Sequence, residues 1–206
     1  MSSSCAASVV YGNSAFFACG HRVYSYWNIS GNEQWSRLPN NPNVEFGLAV
    51  IDGLVTSVGG DGPTNTLLSL TGEGEKKEWS NVFPPMPTPR KSVACVTTEE
   101  ALVVAGGTVN GVYMVGIVEV MNTNTKEWAT VASLPQGSMF LSAALFQDAL
   151  YIRNRTSVFT CSIPDLLHPQ RMGSLWKEIS SLPEDSSTLV AFGGHLLAVG
   201  WLHGFY

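Results

Sequence analysis

The sequence has few charges, no long apolar run and no closely paired cysteines, and each absence narrows what the chain can be. Charged residues are 13% of the 206, about half the roughly 25% usual in soluble proteins. That suits strands covered on both faces, with solvation left to the turns. No apolar stretch approaches the roughly 18 residues that cross a bilayer as a helix, so no membrane partner is expected. Lys and Arg number 11 against 16 Asp and Glu, a formal net charge of -5. Without a basic run, a nucleic-acid partner is not expected either. Cys5, Cys19, Cys95 and Cys161 show no C-x-x-C spacing, and Cys19 and Cys95 fall in strand-like runs where a buried thiol is expected. Met1-Ser2-Ser3-Ser4-Cys5 lacks the basic flank and apolar segment of a secretory signal. A reduced, cytoplasmic chain is the expectation, and on it Asn28-Ile29-Ser30 and Asn154-Arg155-Thr156 carry no glycosylation meaning.

What is present is repetition. Apolar runs close on Gly59-Gly60 and Gly106-Gly107, with Arg153-Asn154 and Gly200-Trp201 at the matching later places. The second members are 60, 107, 154 and 201, 47 apart each time, and Cys19-Gly20 is an earlier remnant. Trp35, Trp79, Trp128 and Trp176 keep step with them, each followed by a stretch ending in proline at Pro39, Pro87, Pro135 and Pro183. Repeats of this period mark small sheets stacked in an array, because one unit cannot bury its apolar face alone.

The Arg90–Pro135 cycle reads most clearly. Ser92–Thr97 is a β-rich first strand and Thr98-Glu99-Glu100 a polar turn. Ala101–Ala105 is a continuous apolar strand ended by the glycine pair, which allows backbone angles and close approaches that a Cβ blocks. A variable loop, Thr108–Val115, leads to the strand Gly116–Met121. The turn Asn122–Thr125 then gives an outer strand carrying Trp128, whose ring packs between one sheet and the next.

Arg90, Gly106-Gly107, Val118-Glu119-Val120, Trp128 and Leu134-Pro135 resemble the kelch repeat. The resemblance implies an all-β fold, a kelch-type β-propeller of four-stranded antiparallel blades. Its units are expected at about 7–39, 44–87, 90–135 and 140–183, with a half unit at 187–201 and an atypical tail at 202–206. Kelch rings usually close at six or seven blades. About four and a half are read here, so the ring is expected to be incomplete, a fragment of a larger propeller.

The resemblance also implies a non-catalytic module that binds a partner protein or peptide through its loops and axial rim, as adaptors and scaffolds do. Copper oxidases of this fold need two histidines, two tyrosines and a cysteine at the axis. His21, His168, His195 and His203 offer no paired ligand spacing. A truncated galactose-oxidase-like propeller and a nonfunctional gene fragment stand as alternatives. No metal, cofactor or catalytic residue is assigned. The candidate partner-binding residues are Arg90, at the kelch arginine position, Ser92 two residues on, and Arg153 and Arg155 beside the degenerate glycine position. Arginine there could take a carboxylate bidentately. Alternatively Arg90 hydrogen-bonds blade carbonyls and Arg153 fills the space the glycines left. Gly62–Asn65 and Thr108–Gly111 are candidate contact loops, Glu73–Glu78 a solvated outer turn, and Asp165–Gly173 a loop insertion.

Overall fold

The computed structural model describes residues 7–29, 32–62, 64–139, 141–154, 157–168, 175–181, 187–192 and 194–200. Four antiparallel four-stranded sheets follow one another and are arranged as a four-blade β-propeller. The first blade holds β1 (Ala7–Tyr11), β2 (Ser14–Cys19), β3 (Arg22–Ile29) and β4 (Asn32–Arg37). The second holds β5 (Gly47–Ile51), β6 (Leu54–Val58), β7 (Leu67–Thr71) and β8 (Glu78–Asn81).

In the third, β9 (Ala94–Thr97) and β10 (Ala101–Ala105) pair with β13 (Val118–Asn122) and β14 (Trp128–Val131). A separate hairpin, β11 (Thr108–Val109) and β12 (Tyr113–Met114), is inserted between β10 and β13. The fourth blade holds β15 (Ser142–Phe146), β16 (Ala149–Arg153), β17 (Ser157–Ser162) and β18 (Lys177–Ser181), with α1 (Ile163–Leu167) after β17. A two-stranded sheet, β19 (Ser187–Phe192) and β20 (His195–Gly200), comes last.

The first strands of successive sheets pack side by side, β1 on β5, β5 on β9, β9 on β15 and β15 on β19. The 47-residue period appears directly in their bonding: Ser92 Oγ donates to Glu45 Oε2, Cys95 Sγ to Leu48 O, and the Leu189 N–H to Ser142 Oγ, each pair 47 apart. Because strands run up and down, first and third turns share one face of the array. Second turns and the links between blades share the other.

Cores lie between sheets rather than within one. On β10, Ala101, Val103 and Ala105 join the cluster shared with the fourth blade, while Leu102 and Val104 join the cluster shared with the second. Side chains alternate across a strand, so a strand covered on both faces is apolar at every position. The tryptophans close these seams as expected. Trp79 Nε1 donates to Pro39 O at 2.9 Å, Trp128 Nε1 to Pro84 O at 3.2 Å and Trp176 Nε1 to Ala132 O at 2.8 Å, each reaching the link that leaves the preceding blade. Trp35 is 63% exposed and, among the described residues, meets the rings of Phe17 and Tyr26 of its own blade at a tilt.

Several local expectations change. The first strand of the third blade starts at Ala94, because Ser92 has φ of 53° and cannot extend a ladder. Residues 108–115 form the β11–β12 hairpin rather than an irregular loop. The insertion after the third strand of blade four begins as α1, capped by Ser162 Oγ, while 169–174 lie outside the described residues. Residues 74–76 form a 3-10 turn with exposed charges.

Cys19 is disulfide-bonded, not the buried thiol expected. Cys95 and Cys161 are free, and burial pushes their pKa values up to about 12 and about 11, the Asp165 charge adding at Cys161. Among the described residues, no helix is long and apolar enough to cross a membrane.

Candidate partner-binding surface

The Arg90 guanidinium lies inside the protein, 0% exposed. Its Nη1 donates to Gly106 O and Ile117 O, both at 2.8 Å, and its Nη2 donates to Glu119 Oε2 at 2.8 Å. Glu119, itself buried, also accepts from Thr88 Oγ1 through Oε1. Burial pulls the Arg90 pKa below the ordinary arginine value, and the Glu119 charge opposes that pull. Of the two roles open for Arg90, the observed geometry is the bonding of blade carbonyls.

Those carbonyls have a meaning. Gly106 and Ile117 flank the chain that leaves the third sheet as β11–β12, and the Gly106 N–H also bonds Ile117 O at 2.9 Å. One buried guanidinium nitrogen thus ties both ends of the hairpin root, while the other reaches Glu119. Lys91 continues the grip: its backbone exchanges bonds with Thr108 at 3.2 and 2.9 Å. Its Nζ sits between Glu45 Oε2 at 3.0 Å and Asp61 Oδ1 at 3.2 Å. Ser92 bonds Glu45 through its N–H at 2.7 Å and its Oγ at 3.1 Å. Ser92 therefore belongs to this face, although its positive φ removes it from the strand face of Arg90.

The hairpin projects from this clamp. Asn110 and Gly111 have φ of 53° and 71°, and the Val112 N–H bonds Val109 O at 3.3 Å, a tight turn of the I′ kind. Beyond it Val112, Tyr113 and Met114 are 72%, 69% and 54% exposed. Three consecutive large apolar side chains in the open are unusual on a soluble surface. The Asn110-Gly111 pair was the sequence signal for this element. Gly62 and Thr64–Asn65 lie on the same face, with Asn65 Nδ2 donating to Met86 O, so that loop is tied down; Pro63 lies outside the described residues.

Arg153 ends β16 and is buried, and desolvation lowers its pKa. Neither it nor Asn154 has a positive φ. Asn154 instead folds its Oδ1 onto the Ser157 N–H at 2.7 Å, a side-chain substitute for the glycine turn. Arg153 is thus not brought to the hairpin surface, and Arg155 lies outside the described residues.

A cavity of about 610 Å³ on the first blade is lined by His21, Arg22, Tyr24 and Arg37, with His21 Nδ1 donating to Asn41 O at 2.9 Å. It opens on the sheet face turned away from the second blade, since Ala18 and Val23 take the facing positions. Among the described residues, no three His, Cys, Asp or Glu side chains gather as metal ligands would. Compared with models of known protein families the sequence matches none, and compared with curated proteins it also matches none.

Proposed function

We propose that this chain is a non-catalytic, kelch-type protein-binding propeller that docks a partner protein through the loop face of its second and third blades, with Val112, Tyr113 and Met114 as the apolar anchor. A β-propeller fold is consistent with an interaction module. One observation carries the reading: an exposed apolar tip stands on a root held by a buried arginine. An anchor that is already ordered loses little freedom on binding, and aromatic and methionine side chains are enriched at interface centres. The rim of Lys91, Glu45 and Asp61 supplies polar groups around that centre.

The test is a pull-down from a lysate of the source cells with immobilised wild-type chain, the triple variant Val112→Ser/Tyr113→Ser/Met114→Ser, and Glu73→Gln/Glu75→Gln as a remote control. The expected outcome is a discrete partner retained by wild type and control and lost with the triple variant. The triple variant should keep the wild-type circular dichroism. A partner held equally by all three would overturn the hairpin as anchor. Stoichiometric copper or iron in the purified protein would overturn the non-catalytic reading.

A further inference from the structure

The first blade has one sheet face against the second blade and another on which, among the described residues, no sheet is packed. Strand alternation divides its side chains between the two. Ala18 and Val23 enter the cluster shared with the second blade. Phe17, Tyr26 and Trp35 point the other way, and their rings meet there, the indole lying 5.6 Å from Phe17 and 4.9 Å from Tyr26 between centroids. Trp79, Trp128 and Trp176 are each bonded into a seam. Trp35 is instead the largely exposed centre of an open aromatic patch.

The charges beside this patch are set out in a line. Trp35 pairs with Tyr26 across the sheet, so Glu33 and Arg37, two residues to either side, project from the same face. At about 3.3 Å per residue they stand roughly 13 Å apart with the indole midway. All three are exposed, as is Arg22. Among the described residues no ion pair engages Glu33, Arg22 or Arg37, whereas Arg90, Lys91 and Lys126 all have carboxylate partners. Arg37 Nη2 donates to Asn40 Oδ1 at 3.1 Å.

An acid, an aromatic ring and a base in that order are their own complement under a two-fold axis. With the axis between two such faces, crossing the strands at the level of Trp35, each β4 lies antiparallel over the other copy's β4. Indole then meets indole, and each Arg37 faces the other copy's Glu33. Sheets packed face to face stand about 10 Å apart, a gap the rings fill and the two long charged side chains span together. The far end of the array offers no such match. Val190 and Leu197 are exposed there, but neither β19 nor β20 contains Asp or Glu. Stacking head to tail would bring no carboxylate from those strands to Arg22 or Arg37.

We propose that the open face of the first blade is an isologous interface between two copies of this chain, centred on Trp35 and held in register by reciprocal Glu33–Arg37 pairs. Such a contact closes at two copies, the commonest symmetry of soluble oligomers. Charge complementarity sets the register, and aromatic and arginine side chains are typical of interface centres. The interface lies on a different blade from the β11–β12 hairpin and shares no residue with it.

The test is sedimentation velocity of the full chain over a concentration series, without reductant so that the Cys19 disulfide is kept. Wild type should pass from the 22.2 kDa monomer to a dimer and no further. Glu33→Arg and Arg37→Glu each put two like-charged contacts across the interface and should weaken dimerisation about tenfold or more. Combining them restores both pairs with the signs exchanged and should recover most of that loss. Trp35→Ser should abolish the dimer. These side chains are exposed, so every variant should keep the wild-type circular dichroism. The hairpin triple variant should dimerise as wild type does, which separates this interface from the partner anchor. A wild type that stays monomeric throughout, single reversals without effect, a double variant as weak as the single ones, or growth beyond the dimer would each overturn the proposal.

Discussion

Gly59 and Gly106 hold matching places, yet what a Cβ would strike differs. At Gly59, with φ of 69°, an added Cβ would lie 2.3 Å from Arg90 O, a backbone atom of the next blade's first link. At Gly106, with φ of 61°, it would lie 2.1 Å from Leu141 Cδ1, the far end of a flexible side chain. Both alanines carry the left-handed strain of about 1–2 kcal/mol. At Gly106 the main chain, Ser138 O at 3.1 Å, has to give only slightly, whereas at Gly59 it has to be displaced outright, adding about 1–3 kcal/mol as overpacking does. Urea unfolding should therefore rank Gly59→Ala as clearly more destabilising than Gly106→Ala. The reverse order would mean that the Leu141 side chain is the rigid obstacle. These positions were legible from the repeat, because glycine pairs mark close approach. The identity of the obstacle was not, since Arg90 meets Gly59 only after two blades have packed. The Arg90–Glu119 pair is hidden for the same reason: its members are 29 residues apart and sit on different elements.

At the scale of elements, the hairpin's second tether is the Lys91 ammonium between Glu45 and Asp61. Bonds to Glu45 and then Asp61 raise the Lys91 pKa above its ordinary 10.5, so its contribution is complete below that value and is lost as pH rises through the folded one. The Lys91 bond lowers the Asp61 pKa below its ordinary 3.8, so that contribution is present above 3.8 and is lost as pH falls through the folded value. The carboxylates are half-exposed, so the tether adjusts the hairpin's position and does little for global stability. Amide shifts of Thr108 and Tyr113 should be flat through neutral pH and move only outside those limits. A transition centred near neutrality would show that another group holds the hairpin. Strands such as β10 and β13 were readable from apolar runs and the turn residues that bound them. β11 and β12 have two residues each, too few for any period to show. The Thr98-Glu99-Glu100 turn reads simply as polar, because its neighbours Phe146, Ile163 and Leu167 come from a later blade.

The whole molecule is a row of seams, and its stability should be graded along that row. The clusters between blades one and two, two and three, and three and four are extensive and each is closed by a tryptophan bond. Among the described residues, the seam between blade four and β19–β20 has a buried core of Ala144, Val158 and Leu189. Val190 and Leu197 of that hairpin are exposed. When units touch only their neighbours, a unit opens at a cost set by the seams it shares. β10 shares two full seams and has every residue buried. Native-state hydrogen exchange should place Val103 and Val104 amides among the slowest in the chain, near the global unfolding limit. The amides of Leu189 and Leu197 should exchange through local opening, many-fold faster and independent of added urea. Trp176→Phe should shift the balance, because losing the bond to Ala132 O weakens the seam by about 1 kcal/mol. Exchange in blade four should then quicken while that in blade two stays unchanged. Uniform acceleration across all four blades would show that the sheets open together as one cooperative unit and would overturn the serial picture.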